Sequence, residues 1–117
     1  MKYLKLFEKF NIGKPKIGNY CICVSSDKTR PVYSLRSARE INDFVSVNIG
    51  RIDDMAIIGF GKGGEMNYSI VYENIPNEIM NWFSSHGAML FYRDDILYWS
   101  NNKEELEDVL VANKYNV

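Results

Sequence analysis

Few residues in this chain have side chains suited to chemistry. His86 is the only histidine, in the run Ser84-Ser85-His86-Gly87. A glycine there ends a helix, and the imidazole beside it is placed to bond the last carbonyls. Ser85 adjoins His86 in sequence, which is no evidence for a catalytic dyad. Asp53-Asp54 and Asp94-Asp95 are two carboxylate pairs that together would suit a divalent cation. Neighbours in a strand point to opposite faces, however, so each pair offers one ligand to any one site. Polar strand ends and turns are the expected roles. Cys21 and Cys23 form a C-x-C. On a strand the two thiols share a face, two residues apart, a spacing unsuited to a disulfide. A metal site would need a further pair of ligands. Two reduced, half-buried thiols acting as small hydrophobes are expected. Catalysis needs a nucleophile with its base, or two carboxylates in unlike environments. The sequence carries neither, and predicts no enzyme, no cofactor and no metal.

Gly59-Phe60-Gly61-Lys62-Gly63-Gly64 matches the letters of G-x-G-x-x-G. A nucleotide loop of that kind leads into a helix whose N-terminus holds the pyrophosphate. This run leads instead into Met66, Tyr68, Ile70 and Tyr72, alternating with Asn67, Ser69 and Glu73 and broken only by Val71. That period of two predicts a strand, and the glycines predict a hairpin turn.

The stronger candidates are basic and aromatic. Lys28, Arg30, Arg36 and Arg39 fall in the long first connection, Lys62 in the glycine turn, and Tyr92, Tyr98 and Trp99 around the last strands. Aromatic faces beside basic loops are how small barrels grip peptides or single-stranded nucleic acid. The competing reading puts the aromatics in the core and the basic residues on a solvated face. These eight residues are the candidate binding set.

Net charge is −1, which argues against a general nucleic-acid binder. The distribution is uneven: residues 1–51 hold ten Lys or Arg against four Asp or Glu, and residues 52–117 hold four against eleven. Such asymmetry marks either a basic face for an acidic partner or two halves that neutralise one another on packing. At 117 residues, with 46% hydrophobic and 25% charged, the chain makes one globular domain. No apolar run approaches a membrane span. Glu8 and Lys9 interrupt the opening where a signal peptide would be apolar, so a cytoplasmic location is expected.

The elements that must position these residues follow in order. Residues 1–11 fit either a short helix or an extended arm, and Pro15 breaks any helix there. Asn19 to Val24 is a strand. Ser37-Ala38-Arg39-Glu40 is a capping box that opens a helix over 37–46, stopped by Asn48 and Gly50. The hairpin over Asn48 to Glu73 organises the rest. Ile75, Ile79, Trp82 and Phe83 form the stripe of a second helix, begun by Pro76 and ended by Gly87. Strands at Ala88 to Arg93 and Ile96 to Trp99 flank the turn Asp94-Asp95. Asn101 or Asn102 caps a last helix with Leu106, Val109 and Leu110 inward, and Asn113 to Val117 fray. Ile22, Ile52, Ile70, Tyr72, Trp82, Phe83, Leu90 and Leu106 are the expected core.

The runs K-I-G-N-Y-C-I-C-V, N-I-G-R-I-D, Y-S-I-V-Y-E and R-D-D-I-L-Y-W resemble an SH3-like small barrel of the KOW or Tudor sort. Gly18, Gly50, Tyr68, Ile70 and Tyr72 carry that resemblance. The ending N-N-K-E-E-L-E is similar to that of small phage and bacterial proteins. The expected fold is therefore α+β: a strongly bent antiparallel sheet or barrel of about five strands, SH3-like, with two or three short helices. The expected function is a non-enzymatic protein-interaction module, of the kind a phage uses to inhibit a host or defence complex. The alternative is a nucleic-acid-associated module using the basic first half.

Overall fold

The computed structural model describes residues 14–24, 35–58 and 65–115. The opening segment, the turn Gly59 to Gly64, and candidates Lys28, Arg30 and Lys62 lie outside them, as does the side chain of Arg36. Five strands, β1 (Tyr20–Cys23), β2 (Gly50–Ile58), β3 (Glu65–Val71), β4 (Ala88–Tyr92) and β5 (Ile96–Ser100), form one antiparallel sheet. Helix α1 (Leu35–Val47) lies between β1 and β2, and α2 (Lys103–Tyr115) follows β5. The architecture is a small α+β fold.

The sheet order is β4-β3-β2-β1-β5. Its two outermost strands, β4 and β5, are consecutive in sequence and joined by a single 3-10 turn, Arg93–Asp95. So short a link brings opposite edges together at one corner, which requires a curled sheet. Register shifts between Ile52 and Asp54, and between Ile22 and Cys23, add the local twist that bulges bring. The sheet is not closed into a barrel: the described residues form no β4–β5 ladder.

The hairpin face is as the alternation predicts: Tyr68, Ile70 and Tyr72 are buried and Met66 is half-buried. They pack with Ile41 and Val45 of α1, Ile52, Ile79, Phe83, Met89, Phe91, Ile96 and Trp99 in the main core. Gly50 is required by close approach, since a Cβ there would meet Ile70 and lie 2.8 Å from the Tyr72 ring. Gly87 is required by its φ of 79°, and a Cβ would also stand 2.7 Å from the Tyr72 carbonyl oxygen.

Several expectations change. Leu90 is 47% exposed: Met89 and Phe91 take the core face of β4, and Leu90 pairs with Ser69 on the hairpin's polar face. The stripe from Ile75 to Phe83 is no α-helix. Its backbone bonds run from Ile79 to Pro76 and from Trp82 to Ile79, three residues back, and only Met80–Trp82 forms a 3-10 turn. Ile79 and Phe83 are buried, but Trp82 is only partly so. Helix α1 begins at Leu35, so Ser37 sits inside its first turn rather than at its cap. Helix α2 continues through Asn113 to Tyr115. Its cap is Asn102, whose Oδ1 accepts the Glu104 N–H at 3.0 Å.

Candidate functional site

The sequence-predicted aromatics do not form one surface. Tyr98 and Trp99 are neighbours on β5 and face opposite ways: Trp99 is in the main core, Tyr98 packs beside Ile22 and Leu106 under α2. The Arg93 guanidinium carbon lies 4.4 Å from the Trp99 ring centroid, and its Nη1 donates to the Ile96 carbonyl at 3.1 Å. The chain's own arginine thus covers that ring. Tyr92 is half-buried, and its N–H donates to Asp95 Oδ2 at 3.2 Å. Arg39 is exposed on α1, four residues before the oppositely charged and also exposed Asp43.

Of the candidate carboxylates, Asp95 has a structural role. Asp95 is buried, and its carbonyl accepts the Val24 N–H at 2.8 Å, tying the corner turn to β1. Asp53 and Asp54 are exposed within β2, at the register shift. Ser84 Oγ accepts the N–H groups of His86 and Ala88 at 3.2 and 3.1 Å, so it closes a turn beside an exposed His86. Cys21 and Cys23 are fully buried rather than half-buried, with Sγ atoms 3.8 Å apart and no disulfide. The hydrogen bond with Cys23, then burial, then the charge of Cys23 push the Cys21 thiol well above its ordinary pKa. A thiol held protonated is a poor nucleophile and a poor metal ligand. Among the described residues no group of three or more His, Cys, Asp or Glu could hold a metal ion, and no helix is long and apolar enough to cross a membrane.

Among the hollows of the described surface, three differ in their lining. One of about 490 Å³ lies beside Ser84, Ser85 and His86. One of about 410 Å³ at the start of β2 is lined by Arg51 and Lys103 together with Glu73 and Glu107, so its charges offset each other. The third, of about 430 Å³, is different in kind. It runs between the last two turns of α1 and the Pro76–Ile79 segment. Phe44, Val47, Pro76 and Ile79 supply its apolar lining, and Glu40, Asp43 and Glu78 its only charged groups.

Local sequence explains how this groove is built. Glu40, Asp43, Phe44 and Val47 stand at i, i+3, i+4 and i+7, one stripe of α1. Asn48 stops the helix by donating from Nδ2 to the Phe44 carbonyl at 2.8 Å. The Phe44 ring is held edge-on to Tyr72 and Phe83, with centroids 5.6 and 6.2 Å away. Opposite it, Pro76 and the turn that follows place Ile79, which is 1% exposed. Val47 is 64% exposed and Met80 beyond the turn 47%. Sequence reasoning missed the groove because neither half of it is distinctive alone; the one legible signal was the acidic bias beside Phe44 and Val47.

No protein-family model, no curated protein and no solved structure matches the chain.

Proposed function

We propose that this chain is a non-enzymatic protein-interaction module built on an SH3-like sheet, and that it meets its partner on the face made by α1 and the Pro76–Ile79 segment. The observation that carries the reading is the groove between them. A fixed aromatic ring and an exposed valine line an open apolar slot, the composition of a protein-docking surface rather than of a solvated one. The SH3-like assignment is supported by the strand order and by the 3-10 turn between the two outermost strands. A module of this kind acts by occupancy, the mode of action of an inhibitor.

The test uses capture from a lysate of the source organism, with Val47→Lys beside the wild type. Lysine is tolerated at the C-terminal end of a helix, but it puts a charge on the docking face. A protein retained by the wild type and lost with Val47→Lys is the expected result. Sub-micromolar binding of single-stranded DNA or RNA at physiological salt, falling steeply as salt rises, would instead establish the nucleic-acid reading.

A further inference from the structure

We infer that the groove takes a short basic segment of the partner protein, with apolar side chains seated on Phe44, Val47 and Pro76 and Lys or Arg side chains against Asp43 and Glu78. This rests on the protein-interaction reading above and adds the chemistry of the occupant.

Charge complementarity selects that occupant. Every ionisable side chain lining the groove is a carboxylate, and Asp43 and Glu78 are exposed on opposite banks of the slot. An acidic or neutral segment would bring no counter-charge to them, and a phosphate-bearing one would be repelled. Backbone adds the same sign. The groove lies along the C-terminal half of α1, where the helix dipole presents partial negative charge, and α1 has no basic residue in its last turn. The apolar lining then separates a peptide from a simple polycation. Phe44 is pinned by its ring contacts with Tyr72 and Phe83, so the slot does not have to be ordered on binding. A groove of about 430 Å³ lies at the small end of ligand sites, room for one or two apolar side chains. The other two hollows lack this pairing of like charge with an apolar floor.

The experiment measures fluorescence anisotropy of a short labelled peptide carrying two leucines among lysines, with counterparts in which Glu replaces Lys or Ser replaces Leu. The lysine–leucine peptide binds the wild type. Asp43→Lys with Glu78→Lys weakens it about tenfold or more, chiefly through slower association, while leaving the thermal midpoint unchanged. Raising salt weakens binding to the wild type and not to the double variant. Equal binding of the glutamate peptide, no loss with serine for leucine, or displacement by spermine as effective as by the peptide itself overturns the inference. So does the absence of binding by any peptide. If the peptides fail yet Val47→Lys still abolishes capture of a partner, the basic occupant is wrong and the interaction face stands. If Val47→Lys leaves capture intact, the face itself is wrong.

Discussion

The two faces of β1 are covered by unlike partners. Cys21 and Cys23 look into a core that α1, four other strands and the Ile79–Phe83 turn all enter. Ile22, on the other side, clusters among the described residues with Leu106 and Val109 of α2, edged by half-buried Tyr20, Ile49, Tyr98 and Leu110. Both faces are dry at the centre: Cys21, Ile22 and Cys23 are each 2% exposed or less. The first cover is a network of interlocked rings drawn from distant segments, with Tyr72 against Phe44, Phe83 and Phe91. The second is a single helix laid on two strands. The first cover extends outward into the acidic, apolar-lined groove, and the second into the hollow where Lys103 and Glu107 offset one another. A surface whose floor is also part of a dense core can hold a binding slot rigid, and a lone helix cannot do so as well.

Breaking the first face should therefore cost most. Phe91→Ala, at 0% exposure within the ring network, is expected to lose about 3–5 kcal/mol in urea unfolding. Leu106→Ala, equally buried but under one helix able to settle inward, should lose about 2–3 kcal/mol. Equal losses at the two sites would show that the faces are energetically alike. A smaller effect sharpens the same contrast. Asn102→Ala removes the cap of α2 and should cost about 1 kcal/mol, with faster amide exchange confined to α2 and the strands beneath it. Smallest of all is Leu90→Thr, on the exposed side of β4, which should change stability by less than about 0.5 kcal/mol. A loss above 1–2 kcal/mol there would mean that Leu90 is covered by something.

How much of this was legible in the sequence follows from the same two faces. The β3 alternation and the last helix announced themselves, because one had a clean period of two and the other had a cap and a stripe. The C-x-C strand misled in degree: with an apolar residue at all three of its last positions, it signalled a strand covered on both sides, not a half-buried one. Ala88 to Tyr92 has no polar position to mark its outer face, so Leu90 could not be placed without its cross-strand partner. The Ile75, Ile79, Trp82, Phe83 spacing suits a helix and a series of tight turns alike, and Pro76 with a short tether to β4 decided for turns. For the site, the rule that separates Asp53 from Asp54 also separates Tyr98 from Trp99, and applying it there would have dissolved the aromatic cluster. The groove was beyond reach, because its banks are some 30 residues apart and meet only when the hairpin folds.

The pairing of β1 with β5 has a consequence for time rather than for stability. Tyr20 lies opposite Ser100, and the Asn19 side chain donates to that of Asn101 across a sequence separation of 82. Nothing local can form this ladder. The hairpin β2–β3 and its neighbour β4 can zip up early, each closing a short loop, whereas β1 gains its second partner only after most of the chain has been gathered. Folding of this molecule should run on the slow, millisecond-to-second scale of β-rich domains with distant contacts. Until that ladder closes, the outer edge of β1 is an open strand.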